Sequence, residues 1–299
     1  MSKRVKGGIA ALCCGFLYGI IPLFVLGVSR SGVASGTACS MYRLLFAGLI
    51  PAPVAIIRYK KRPVSAKALR NVCFVGLMSG VTAMLLYEAF ARIPSGIAMA
   101  VHYIYPLTTL CIAVLLFKQK VSRAALPAAL LVLAGVAFLC DMTVLPEKPL
   151  AGLLLAFGSA IGCSTYYTLI ERLDTEGCDK LVFTSLMNLS ASVYLFFYNL
   201  LTGNLTAAFT VSQWGSLFLS GVLMVGAVLC VTVAVKNVGT VTTTVFSTLE
   251  PIVCALGSAL MLGDPVTLRT LFGTVLVLSA VILVSVSGKN EPGTDDRGV

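Results

Sequence analysis

The sequence predicts an all-α membrane protein of ten transmembrane helices arranged as two inverted five-helix repeats. Three observations carry this prediction. Apolar residues make up 58% of the 299 residues and charged residues only 11%, where a soluble domain carries about 25% charged residues. The apolar residues fall in long runs, each near the length that crosses roughly 30 Å of hydrocarbon at about 1.5 Å per residue. Finally, the later runs repeat the earlier ones at a constant offset of 145 residues, the separation of Pro106 and Pro251.

The first five runs lie at 7–28, 36–57, 69–90, 95–117 and 124–141. The first extends well past the apolar stretch of a secretion signal and holds Pro22, so it is expected to be a retained span. The second five lie at 150–170, 181–201, 213–234, 240–262 and 267–287, and the tail 289–299 is polar. Short connections make consecutive helices antiparallel neighbours. The expected division is a first repeat over 1–145, a second over 146–288, and the tail. Shifting the chain by 145 residues places Gly7 on Gly152, Arg43 on Asn188, Pro106 on Pro251 and Val121 on Val266. Five spans is an odd number, so the second copy must enter the membrane in the opposite sense. Inverted repeats of this kind are the architecture of secondary transporters, whose substrate site lies near the midplane between the repeats.

The net charge of +10 does not indicate nucleic acid, because the basic residues sit between apolar runs rather than on one face. With the amino terminus inside, only Arg30, Arg92, Lys148 and Arg269 of the 22 lysines and arginines fall on outer loops, and Arg43 lies within a span. That distribution obeys the positive-inside rule and places both termini in the cytoplasm. The expected location is a bacterial or archaeal cell membrane, with lipid headgroups as partners of the surface charge. The loop 171–180 of the second half carries excess acid. The ten cysteines show no metal spacing and suit the role of small buried hydrophobes. Neither a metal nor another cofactor is expected, and the expected working unit is a monomer.

Ionisable and polar groups inside spans are costly and mark candidate functional positions. Arg43 could bind a carboxylate or pair with an internal acid. Tyr42 precedes it, and Asn188 is its repeat mate. Glu88 stands four residues before Arg92, so it could hold a proton, meet a substrate amine or form a helix-surface ion pair. His102 shares a helix face with Ser95, Met99 and Pro106, while Tyr103 and Tyr105 are expected to point away from it. It could bind substrate, exchange protons or bond a neighbouring helix. Glu250 precedes Pro251, a proline that frees a backbone carbonyl deep in the ninth run, and could couple protons or anchor a polar network. Tyr166 and Tyr167 could line a cavity. Trp214 suits an interfacial anchor.

The segments that carry the repeat also resemble a known family. Over 239–264 a weakly polar helix start is followed by Glu250-Pro251 and a run of small residues ending in Gly263-Asp264. The next span opens with small residues around Gly273, Arg43 stands in the second span, and Pro106 sits in the fourth. This pattern resembles the EamA-type branch of the drug/metabolite transporter superfamily over about 7–287. Two departures stand out: Tyr105 replaces the usual acid or small polar residue before Pro106, and Lys118-Gln119 stands where Gly-Glu is usual. The resemblance implies a ten-helix bundle with a central cavity, alternating access, and export of amino acids or related small metabolites.

A secondary transporter is therefore the expected function, with Arg43, Tyr42 and His102 facing Tyr166, Asn188 and Glu250 across the cavity. Glu88, Glu250 and His102 are the candidate proton carriers. A multidrug or lipophilic-cation exporter is the first alternative, and a channel or non-transport structural protein the second. A membrane enzyme lacks a convergent catalytic set. No GxxxxGK[ST] loop supports an ATP-driven pump.

Overall fold

The computed structural model describes residues 2–61, 63–93, 95–118, 124–139, 149–175, 178–262 and 268–287. Gln119, Lys148, Gly263, Asp264 and the tail 289–299 lie outside them. The described residues form helices throughout: α1 (Lys3–Ser29), α2 (Gly36–Leu49), α3 (Ala52–Lys61), α4 (Ala66–Phe90), α5 (Ser95–His102), α6 (Tyr105–Cys111) and α7 (Ala125–Leu139) in the first half. The second half holds α8 (Leu150–Arg172), α9 (Lys180–Leu201), α10 (Val211–Val238), α11 (Thr240–Ser247), α12 (Leu249–Leu262) and α13 (Leu268–Ser287).

These helices make the predicted ten-span, two-repeat membrane protein. α1, α4, α8, α9 and α10 are each long and apolar enough to cross a membrane alone, and α2 with α3 forms a span bent by 44°. The bend falls at Pro51, which cannot donate a backbone bond to the preceding turn. The fourth span is α5 with α6, the latter running on into a π-helical turn, Ile112–Leu116. The ninth is α11 with α12, and α7 and α13 complete the count.

Solvent and hydrocarbon leave opposite signatures on a fold, and here the signature is that of hydrocarbon. Large apolar side chains point outward, among them Leu201, Val211 and Leu260. Small polar ones turn inward, including Thr37, Ser40, Asn188 and Asn199. Many inward polar groups bond a carbonyl one turn back, as Asn188 Nδ2 does to Thr184 O at 2.8 Å and Asn199 Nδ2 to Leu195 O at 2.7 Å. Helices in lipid gain from such close small-residue packing, since the tails are as apolar as leucine.

The two halves interlock. α1 packs along α10 and against α11 and α12. Its repeat mate α8 packs along α4 and against α5 and α6. α2 meets its own mate α9, and α7 meets its mate α13. Glycines repeat the relation atom by atom. A Cβ on Gly152 would lie 2.6 Å from Ile93 Cγ2, and one on Gly7 would lie 2.7 Å from Val238 Cγ1, with Ile93 and Val238 themselves repeat mates.

The loops around 30–35 and 202–210 mark one end of the bundle, called here the Gly32 end, and those around 61–65 and 173–179 mark the other, the Lys61 end. At the Lys61 end the acid of loop 171–180 finds its partners across the repeat boundary. Arg58 Nη1 lies 2.7 Å from Asp179 Oδ2, and Lys67 Nζ lies 3.4 Å from Asp174 Oδ2.

Candidate substrate site at the paired helix breaks

The fourth and ninth spans are both interrupted, and at matched positions. α5 ends at His102 and α6 begins at Tyr105, while α11 ends at Ser247 and α12 begins at Leu249. Each break is followed by a proline, Pro106 or Pro251, that removes the donor for the carbonyl four residues back, His102 or Ser247. Broken spans in corresponding positions of two halves are the best structural pointer to a transporter's binding site.

α1 lies against the second break. A Cβ on Gly15 would stand 2.8 Å from the Ser247 carbonyl oxygen, and one on Gly19 would stand 2.7 Å from that of Glu250. Only glycine permits this approach. At the first break the mate of Gly19 is Ser164, whose Oγ donates to the Tyr105 carbonyl at 2.9 Å. The same hydroxyl lies 2.5 Å from Thr108 Oγ1.

His102 is 5% exposed. Ser159 Oγ donates its single hydrogen to Ala156 O at 2.6 Å, so it accepts from His102 Nδ1 at 2.8 Å. Tyr103 and Tyr105 do not point away from His102. Their ring centroids lie 5.9 and 5.6 Å from its own, because the helix stops at His102 and the regular 100° step between residues no longer holds. Tyr105 in turn stacks on Tyr167, 5.9 Å apart at 5°. Tyr166 packs edge-on to Tyr167, and its hydroxyl lies 3.5 Å from that of Tyr18.

Glu250 is half-buried at the start of α12, close enough to Cys14, Tyr105 and Cys163 to interact electrostatically with each. The breaks thus bring His102, Tyr166 and Glu250 together in one region, along with Tyr18, Tyr105, Tyr167 and Ser159. The sequence reading did not single out Tyr18 or Ser159, and it took Tyr105 only as a departure from the family pattern, turned away from His102. Its repeat position opposite Glu250 was the signal that could have flagged it.

Arg43 is 7% exposed. Its Nη2 donates to Ser40 Oγ at 2.9 Å and Nη1 to Met224 Sδ at 3.5 Å, while Nε has no partner. Among the described residues no carboxylate lies within 4.0 Å of it. Its mate Asn188 is fully buried, with Oδ1 also unpartnered. Tyr105 Oη and Thr109 Oγ1, one turn apart on α6, are buried without hydrogen-bond partners as well.

Tyr42 departs from this group. Its hydroxyl donates to Thr206 O at 2.8 Å, and its ring meets Trp214 and Phe209 edge-on at 4.9 and 5.4 Å. It belongs to an aromatic cover at the Gly32 end, because adjacent helix residues point about 100° apart. Glu88 is committed to an ion pair, 2.6 Å from Arg92. The expected central cavity also takes a different form, since the tyrosine-lined region is closely packed, with Tyr105 and Tyr167 at 1% and 2% exposure. A cavity of about 510 Å³ opens instead at the Lys61 end, lined by Glu171, Arg172, Asp174 and Lys236 among others. Beside it Glu171 Oε2 accepts the first N–H of α11, from Thr240 at 3.2 Å.

The sequence profile of the EamA-like transporter family matches residues 5–140 and again 150–286. A solved structure titled "Crystal structure of protein" aligns over 96% of this chain and 100% of its own, with a TM-score of 0.79 at 16% identity, a likeness of fold. No curated protein matches the chain. Two profile matches in tandem, over two halves that repeat one another helix by helix, lead to one conclusion: the chain belongs to the EamA-like transporter family of the drug/metabolite transporter superfamily and is a multi-pass membrane transporter of small solutes.

Proposed function

We propose that the protein exports amino acids or related zwitterionic metabolites by alternating access, with both termini in the cytoplasm. The observation that carries this reading is Arg43, a buried guanidinium with two neutral partners and an unpartnered Nε. A charge held in a low-dielectric interior without a counter-ion is strongly destabilising. A solute carboxylate supplies that counter-ion, and the guanidinium fork suits it geometrically. Glu250 and the hydroxyls of Tyr105 and Tyr18 take the ammonium, and the apolar residues around them take the side chain. A sugar phosphate would call for more than one deep cation.

Purified protein in sealed vesicles, screened for flux of amino acids, sugars, nucleosides and lipophilic cations, tests this reading. Amino-acid flux is expected, and it is expected to persist without nucleotide because the electrochemical gradient or solute exchange drives it. Arg43→Ala at matched expression should raise the half-saturation concentration about 10- to 100-fold, the worth of a charged hydrogen bond. Unchanged transport in Arg43→Ala would sink the carboxylate assignment. Lipophilic-cation flux that needs Glu250 and not Arg43 would establish the drug-exporter alternative instead.

A further inference from the structure

The membrane-facing surface between α4 and α9 carries a groove of about 440 Å³, lined by Cys73, Leu77, Leu186, Leu189, Val193 and Tyr194. Gly76 sets its floor by letting α4 close on the Met187 carbonyl and on Ser190. From Leu186 to Tyr194 it runs about 12 Å along α9, close to the roughly 15 Å of one leaflet's hydrocarbon. At its mouth stands Arg70, three residues before Cys73 and therefore on the same face of α4. Arg70 is exposed and forms no salt bridge among the described residues, whereas its neighbours Arg58 and Lys67 are paired.

The residues around the groove differ from their repeat mates in the other half. The same packing recurs there, with Gly221 against Phe46 and the Arg43 carbonyl. Yet the mate of Cys73 is the larger Phe218, whose ring packs on Phe46 at 5.5 Å. The mate of Arg70 is Gly215. The cation at the mouth of the groove therefore has no counterpart at the matching position of the other half.

We propose that this groove binds an anionic phospholipid, with one acyl chain between α4 and α9 and the phosphate on the Arg70 guanidinium. Cationic side chains at a membrane surface favour anionic lipid, and Arg70 lies on the groove-lining face of α4 with no salt bridge among the described residues.

The test uses the full chain in nanodiscs of equal phosphatidylcholine and phosphatidylglycerol, with retained lipid measured by native mass spectrometry after partial delipidation. Phosphatidylglycerol should be enriched on the unmodified protein. Arg70→Gln should lower that enrichment about fivefold, Arg70→Lys should keep most of it, and Lys67→Gln should leave it unchanged. Cys73→Phe, which copies the other half, should lose retained lipid although Arg70 is intact. Excess inorganic phosphate should not displace the lipid. The proposal is overturned if Arg70→Gln keeps its enrichment, if Cys73→Phe retains lipid as before, or if phosphate alone competes, the last marking a plain anion site.

Discussion

The two helix breaks share a backbone and differ in chemistry. At the first, His102 is held by Ser159, Tyr105 precedes the proline, and Ser164 bonds the Tyr105 carbonyl. At the second, the mates of these residues are Ser247, Glu250 and Gly19, with α1 pressed against the bare carbonyls. The same division separates Arg43 from Asn188. The repeat therefore sets where the chain bends and which helices meet, while each half holds different ionisable groups at the shared positions. Arg43 and Glu250 thus stand in opposite halves of the repeat, the arrangement on which the proposed zwitterionic substrate rests.

The comparison is broken most directly at α1. Gly19→Leu should cost at least about 3 kcal/mol, because its Cβ already meets backbone and the Val253 side chain at 2.7 Å. Monodisperse folded protein on detergent gel filtration would fall sharply, and normal yield with normal flux would show that α1 does not rest on the second break. At the first break, Ser164→Ala should cost about 1 kcal/mol by removing one of the two hydroxyls on the Tyr105 carbonyl, the other being Thr108 Oγ1 at 3.1 Å. A lower unfolding midpoint with protein still recoverable is the expected result, and an unchanged midpoint would remove Ser164 from the argument.

A gentler difference lies at the end of the fourth span. Lys118 has φ 49°, in the left-handed region that favours glycine. Its repeat mate is Gly263. Lys118→Gly should therefore raise the unfolding midpoint by the equivalent of about 0.5–1 kcal/mol, and a fall would show that Lys118 earns its place by a contact.

The smallest effect belongs to the ion pairs that tie the halves at the Lys61 end. Partial burial disfavours ionised Asp179, but Arg58 and the backbone N–H groups at the start of α9 outweigh it and hold the carboxyl below its ordinary range. A depressed carboxyl stabilises the fold above its unfolded pKa, and that contribution is lost as the pH falls through the folded value. Asp179→Asn should cost under about 1 kcal/mol near neutrality, shrinking in high salt and vanishing in acid. A loss that persists in strong acid would place its origin in the helix cap.

Much of the fold was legible because hydrocarbon allows few solutions. Every span except the composite ones lies within a few residues of its apolar run, and the 145-residue offset carried over to the helix ends. The second span is continuous as an apolar run, yet it breaks and bends at Pro51, while its mate α9 is one unbroken helix. For the site, the prolines announced the breaks, but the positions of Tyr103 and Tyr105 were misjudged by extending a regular helix through them. Glu88 kept two readings until its bond to Arg92 was seen, and Tyr42 was grouped with its neighbour Arg43 although the helix turns it toward Trp214.

Sequence alone determined that this chain crosses a membrane ten times, that it does so twice over in opposite senses, and that it belongs among solute transporters. Those properties follow from local composition and periodicity, which the bilayer reads segment by segment. Tertiary structure decided that His102 bonds Ser159, that α1 seals against the Glu250 carbonyl, that Arg43 has no acid beside it among the described residues, and that Asp179 and Asp174 pair with Arg58 and Lys67. Such pairings join residues tens to hundreds of positions apart. They depend on the register of close-packed helices, where a shift of one residue turns a side chain by about 100° and changes every partner it meets.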